Sequence, residues 1–135
     1  MLNIRTLNTE DYDTILKGWW HSWNFEAPSR DFLPENGSGG YIVFDGEIPV
    51  VAGFVYQTNA KVSWASWIIS NKSYRKKPQR KDALFLLVDT MSRMSKWMGY
   101  KYMYTVFKNK HLEKTFTDAG FTKTGVGYNE LLKAL

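Results

Sequence analysis

The sequence predicts a single α+β domain, and three observations carry that expectation. The chain has 135 residues, the size of one ordinary domain, and 44% of them are hydrophobic, enough to supply a core. Its apolar positions switch repeatedly between the two-residue period of strands and the 3.6-residue period of helices. No repeat, linker or low-complexity tract interrupts it, so residues 1–135 read as one domain.

Leu2 to Leu7 alternates and reads as a first strand. Asn8-Thr9 then offers an N-cap, and Glu10, Asp11 and Asp13 suit the positive end of the helix that follows. That helix is expected to run through Tyr12, Ile15, Leu16, Trp19, Trp20 and Trp23. Pro28, Pro34, Gly37, Gly39 and Gly40 mark Phe25 to Gly40 as a long loop, with a helical turn expected around Ser29 to Leu33. Tyr41 to Phe44 and Val50 to Gln57 are strand-like runs joined across Asp45-Gly46. Asn59-Ala60 separates them from a third run, Lys61 to Ser70, which makes a meander.

Asn71 to Lys81 is polar, basic and interrupted by Pro78. A long helix is expected from near Arg80 to Met98. Its Leu84, Leu87, Val88, Met91, Met94, Trp97 and Met98 form an apolar stripe, and Gly99 is its C-cap. Tyr100 to Phe107 reads as a fifth strand. A short helix is expected from about His111 to Asp118, ended by Ala119-Gly120. Phe121 to Thr124 and Tyr128 to Leu132 are expected to close the chain as one or two short strands.

Composition excludes several chemistries. There is no Cys, so no disulfide scaffold, thiolate zinc site or cysteine nucleophile exists. His21 and His111 are the only imidazoles and lie 90 residues apart, with no HExxH, so no metal site is expected. Neither a Gly-x-Ser-x-Gly elbow nor a GxxxxGK[ST] loop is present. The longest apolar run, Ala83 to Val88, is too short to cross a bilayer. With no signal-peptide pattern at Met1 to Arg5, the expectation is a soluble cytoplasmic protein without a membrane partner.

The net charge of +5 is concentrated in one place. Arg75, Lys76, Lys77, Arg80 and Lys81 fall within seven residues, and the other 13 basic residues match the 13 acidic ones. This loop lies between a strand and a helix N-terminus, where backbone N–H groups and the positive end of the dipole already favour an anion. Cations there do nothing for the helix itself, so a phosphate-bearing ligand is expected. A solvated basic loop is the plainer alternative. Nucleic acid is disfavoured, because the tyrosines of the fifth strand lack an RNP-like pattern and a single charged loop is no extended footprint.

The order of elements resembles the GNAT superfamily of acetyl-CoA-dependent N-acyltransferases over essentially the whole chain. The likeness rests on Asn3-Ile4-Arg5-Thr6 with Thr9-Glu10-Asp11-Tyr12, on the meander Tyr41 to Ser70, and on Tyr74 to Arg80 before the long helix. It is completed by Asn109 followed by Ala119-Gly120-Phe121. Trp19 to Trp23 and Asp31-Phe32-Leu33-Pro34 add a similarity to small GNAT-like proteins encoded by bacteriophages, which would place the chain in the host cytoplasm.

The resemblance implies an α+β GNAT fold in which the fourth and fifth strands splay and acetyl-CoA enters the gap. Trp67, Ile68 and Ile69 would then pair with the pantetheine arm, while Arg75, Lys76, Lys77, Arg80 and Lys81 hold the pyrophosphate. Asn109 would bridge the fifth strand and the cofactor, its plainer role being a helix cap. Pro78 stands near a glycine of the family pattern and removes an N–H donor, for which the cations would compensate. The family's glutamate base has no counterpart on Trp64-Ala65-Ser66-Trp67, so Ser66 would at most position a water. The family's tyrosine acid is replaced by Phe116, leaving Tyr128, Tyr104 or His111 as substitutes.

Trp19, Trp20, Trp23, Phe25 and Phe32 would wall an apolar or flat acceptor amine, with Glu26 or Asp31 meeting its ammonium. The implied partners are a CoA thioester and an amine, in a monomer or homodimer. The implied activity is acetyl transfer. The alternative is a catalytically inactive GNAT-fold binding or virion-associated protein.

Overall fold

Five strands form one sheet in chain order, and the connection between the last two sets their direction. The computed structural model describes all residues from Met1 to Leu135. Strands β1 (Leu2–Thr6), β2 (Gly40–Asp45), β3 (Ile48–Tyr56) and β4 (Val62–Ser70) pair antiparallel. Helix α2 (Arg80–Trp97) crosses over from β4 to β5 (Tyr102–Thr105), so that pair runs parallel. The first helical segment is a π turn, Tyr12–Leu16, continued by α1 (Lys17–Ser22), and the last is α3 (Lys110–Asp118). No helix is long and apolar enough to cross a membrane.

Alternation along the strands feeds two cores. Val43, Val51, Val55 and Ala65 face α2 and α3, where they meet Leu87, Val88, Met91 and Phe116. Ile42, Ala52 and Phe54 point to the opposite face, against Leu16, Trp19, Trp20 and Leu33. The first helical segment starts where the capping residues predict. The Asn8 side-chain oxygen accepts from the Asp11 N–H at 3.1 Å, and Asp11 accepts from the Asn8 N–H at 2.8 Å.

The sheet carries a bulge between β3 and β4. Ala52 pairs with Ile69 and Phe54 with Ser66, so Trp67 and Ile68 together oppose Gly53. Trp67 takes the left-handed conformation, φ 55°, that a side chain ordinarily avoids. Gly53 makes room on the other strand: a Cβ there would meet Ile68 at 3.2 Å and Leu87 at 3.3 Å.

Three expectations are corrected. Phe121 to Thr124 and Tyr128 to Leu132 form no strand. Gly120 and Gly127 sit at φ 100° and 75°, and the four-residue β5 gives them little to pair with, while Phe121 packs edge-on against Phe116 at 4.9 Å. The fifth strand is correspondingly shorter than Tyr100 to Phe107. Trp97 does not join the buried stripe of α2; it lies about 120° round the helix from Met91 and is 80% exposed.

Candidate functional site

The β4–β5 ladder is short. It runs from Val62↔Tyr102 to Ala65↔Thr105, and the Thr105 hydroxyl closes it by donating to the Ala65 carbonyl at 2.8 Å. Beyond that point β4 continues from Ser66 to Ser70 with no β5 partner. A gap of this kind leaves backbone donors and acceptors of one strand free for an extended ligand. It contains the bulge residues Trp67 and Ile68, expected to meet the pantetheine arm. Ile69 pairs with Ala52 on the other side of β4.

At the end of β4 the chain turns through Lys72–Tyr74 into the basic loop. A cleft of about 340 Å³ opens there, lined by Arg75, Lys77, Pro78, Arg80, Lys81 and Leu84 on one side. His111, Lys114 and Thr115 of α3 line the other. Four of the five expected cations thus converge, while Lys76 is exposed outside the lining. Arg75 donates to the Lys72 carbonyl at 2.9 Å, which braces the loop.

The cleft fits a phosphate group on its own evidence. Arg80 Nε is buried without a hydrogen-bond partner, and the nearest bond of that side chain is a long one, 3.4 Å from Nη2 to Ser70 Oγ. A buried guanidinium donor left unpaired is costly unless something supplies an acceptor. Gln79 precedes α2 without a side-chain cap and the Arg80 N–H donates to the Lys77 carbonyl at 3.2 Å, so no capping side chain competes with an anion for the remaining first-turn N–H groups. Lys114 was not legible as part of this site. Its only sequence signal is the three-residue step from His111, which puts both on one face of α3.

On the opposite face of the sheet, Trp67 is the hub of an aromatic cluster. Phe32, Phe25 and Trp20 meet it edge-on, with centroids at 5.8, 6.3 and 6.3 Å. Trp20 is buried beneath the cluster, whereas Phe25 and Phe32 keep 54% and 42% of their surface exposed. The Tyr56 hydroxyl fixes this loop by donating to the Phe32 carbonyl at 2.8 Å. Burial holds that phenol above its ordinary pKa, partly offset by the Trp67 indole. Trp23 donates its indole N–H to the Ser70 carbonyl at 2.9 Å, with Lys72 over its ring. Glu26 and Asp31 are exposed beside the cluster, Asp31 accepting from Ser29.

Ser66 and Tyr104 alternate onto the face that carries this cluster. Tyr104 stacks edge-on against Trp64 at 4.4 Å, and Tyr128 is its ionisable neighbour. Repulsion from the ionised form of Tyr128, with partial burial, holds the Tyr104 hydroxyl above its ordinary pKa. Asn109 serves as the N-cap of α3, its side-chain oxygen accepting from the His111 N–H at 2.9 Å. Its amide N–H₂ is left for another partner.

Comparison with solved structures places the fold. The chain superposes on glucosamine-6-phosphate N-acetyltransferase from Arabidopsis thaliana with a TM-score of 0.67 at 10% identity, covering 98% of this chain and 99% of that one. It superposes on AAC(6')-Iy in complex with a CoA-based bisubstrate analogue with a TM-score of 0.67 at 16% identity, covering 99% of each. A ribosomal-protein alanine N-acetyltransferase from Escherichia coli gives 0.63 at 14% identity, over 93% of this chain and 80% of that one. No protein-family model matches the chain, and no curated protein matches it in sequence. The class is therefore set by architecture: a mixed α+β sheet with a parallel β4–β5 pair, flanked by helices, in the GNAT acetyltransferase fold.

Proposed function

We propose that the protein is an acyl-CoA-dependent N-acyltransferase. The observation that carries this reading is the run Ser66 to Ser70 on β4, bordered by β3 but without a β5 partner, which leads straight into the cationic cleft at the start of α2. Acetyl-CoA is the implied donor, and when bound it supplies an activated thioester carbonyl. The chain's own residues divide the remaining work. Arg75, Lys77, Arg80, Lys81 and Lys114 neutralise the phosphates, and the buried Arg80 Nε gains the acceptor it lacks. The free edge of β4 pairs with the amides of the pantetheine arm, and the bulge at Trp67 and Ile68 turns a backbone N–H toward the acyl oxygen.

The acceptor amine approaches from the aromatic face, over Phe25, Phe32 and Trp67, with Glu26 and Asp31 attracting its charge. Ser66 orders a water that takes the ammonium proton, and the Tyr104–Tyr128 pair supplies the proton for the leaving thiolate. This division accounts for a strand that carries no carboxylate. Titration calorimetry with acetyl-CoA tests the reading. Saturable binding that Arg80→Ala weakens supports it, and no heat at millimolar cofactor overturns it.

A second reading, a GNAT-fold binder without turnover, is favoured by the missing carboxylate on β4 and by the capping role of Asn109. Release of free thiol from acetyl-CoA across a panel of amines separates the two.

A further inference from the structure

A second cavity, of about 360 Å³, opens at the other end of α2. The basic cleft is lined by Arg80, Lys81 and Leu84 from the first turns of the helix, and this cavity by Met91, Met94, Ser95 and Met98 from the last. Ten residues separate Leu84 from Met94, about 15 Å along a helix. Acyl transfer uses neither the floor nor the rim of this cavity.

Its lining combines an apolar patch with polar groups at the rim. Val55 and the three methionines give an apolar, adaptable floor and wall. Polar residues complete the lining, among them Tyr41, Gln57 and Glu35. Burial alone shifts the Tyr41 phenol, upward, so no charged neighbour is satisfying it. Glu35 is the one lining residue charged at neutral pH, in a chain whose net charge is +5. An anion entering here would face a carboxylate with no cation in the lining.

The rim is held in place before any ligand arrives. Glu35 and Asn36 both lie in the left-handed region, φ 50° and 55°, and Gly37 follows at 98°. Two side-chain-bearing residues in that region cost roughly 1 kcal/mol each. Arg30 enforces the geometry: it donates to the Asn36 carbonyl at 3.1 Å and to the Thr9 carbonyl and Asp13 at 2.9 Å, with its guanidinium 4.6 Å from the Tyr12 ring centre. Ser38 adds a bond to the Glu35 carbonyl at 2.9 Å. A strained segment braced by Arg30 and Ser38 fixes the backbone from which the Glu35 carboxylate projects, which lowers the ordering cost on binding.

We propose that this cavity is a second ligand site, taking a small organic amine with an aromatic or branched apolar body. The ammonium sits on Glu35, and the body lies between the Tyr41 ring and Met94 and Met98. The site is distinct from the acyl-transfer site and stands whether or not that reading holds.

The test titrates the full chain with 2-phenylethylamine, its neutral analogue 2-phenylethanol and the anionic 3-phenylpropanoate, followed by backbone amide and methionine methyl NMR shifts. Saturable shifts are expected at Ser38, Gly39, Gly40 and Gln57 and at the methyls of Met94 and Met98. Glu35→Gln and the neutral analogue should each weaken binding about two- to fivefold, the loss of one rim ion pair. Met94→Arg should abolish binding while leaving shifts elsewhere unchanged. Equal affinity for all three probes overturns the proposal, as does the absence of saturable shifts at about 20 mM amine. Shifts confined to Phe25, Phe32 and Trp67 also overturn it, because they assign the amine to the other face.

Discussion

The Tyr74 hydroxyl donates to Asp45 Oδ2 at 2.7 Å, joining the entrance of the basic loop to the end of β2. The N-terminal amine holds the other oxygen of the same carboxylate at 3.1 Å. The bond to Asp45 and burial push the Tyr74 phenol up to about 12, and the Tyr74 bond, with the amine, holds Asp45 below its ordinary value. Both shifts have a stability consequence. The Tyr74 contribution is complete below its unfolded value of about 10 and is lost as pH rises through about 12. That of Asp45 is present above about pH 4 and is lost as pH falls further. Tyr74→Phe should therefore lower the melting temperature at neutral pH, with the difference from wild type closing in strong alkali. Melting curves from pH 7 to 12 check this, and a difference that stays constant throughout would contradict it.

Arg80 should be the most sensitive cation of the cleft. Its Nε is buried and unpaired, whereas Arg75 already spends a donor on the Lys72 carbonyl. Arg80→Ala should raise the acetyl-CoA dissociation constant at least about tenfold, and Lys76→Ala, outside the lining, by less than about twofold. In the absence of cofactor, Arg80→Ala should leave the fold as stable or slightly more so, because it removes an unsatisfied donor. Calorimetry and urea denaturation on the two variants separate these effects.

How much of this was legible follows from the range of each signal. The meander, the long helix and the basic loop were readable because period, turn residues and charge are local properties. The convergence of Arg75, Lys77, Arg80 and Lys81 was readable for the same reason, since all lie on one short segment. Lys114 and His111 complete that cleft from α3, and no local pattern announces a contact between segments about 30 residues apart. The bulge at Trp67 was equally hidden. A Trp is a poor choice for a left-handed position, so nothing in the run Trp64 to Ser70 marks a break in the ladder. The closing strands failed for a related reason: their alternation is real, but strand formation needs a partner, and β5 is four residues long.

Asn109 allows the cap and the cofactor roles to be separated. Its oxygen caps α3, so Asn109→Ala should cost about 1 kcal/mol of stability. Asn109→Asp keeps that acceptor and should restore stability in full, yet it removes the amide donor and brings a negative charge toward the cleft. Acetyl-CoA affinity should then fall about fivefold or more while the melting temperature holds. Unchanged affinity in Asn109→Asp would reduce the residue to a cap.

Tyr128 should matter for turnover and not for cofactor binding. Its hydroxyl neighbours that of Tyr104 on the aromatic face, away from the cationic cleft. Tyr128→Phe should lower the rate of thiol release at least about tenfold, in the range that general acids contribute, with the acetyl-CoA dissociation constant unchanged. Tyr104→Phe should share the phenotype in part, since it leaves Tyr128 present but no longer positioned. If both variants turn over at the wild-type rate, the leaving group takes its proton elsewhere.

Trp67 poses a test of why a large side chain occupies a strained position. Replacing it with Ala keeps the left-handed penalty and loses the edge-on contacts to Trp20, Phe25 and Phe32. Replacing it with Gly loses the same contacts but removes the penalty, so Trp67→Gly should be more stable than Trp67→Ala by about 1 kcal/mol. That ordering inverts what is ordinary within a strand, where Gly is the worse residue by roughly 0.5–1 kcal/mol. Both variants should bind acetyl-CoA, because the bulge itself is set by the register of β3 and β4 and by Gly53. Both should also lose discrimination between flat aromatic and compact aliphatic acceptors, since the ring they remove is the hub of the aromatic cluster over which the acceptor is proposed to bind. Chemical denaturation of the pair, with thiol-release rates for one aromatic and one aliphatic amine, reads out backbone strain and acceptor recognition separately.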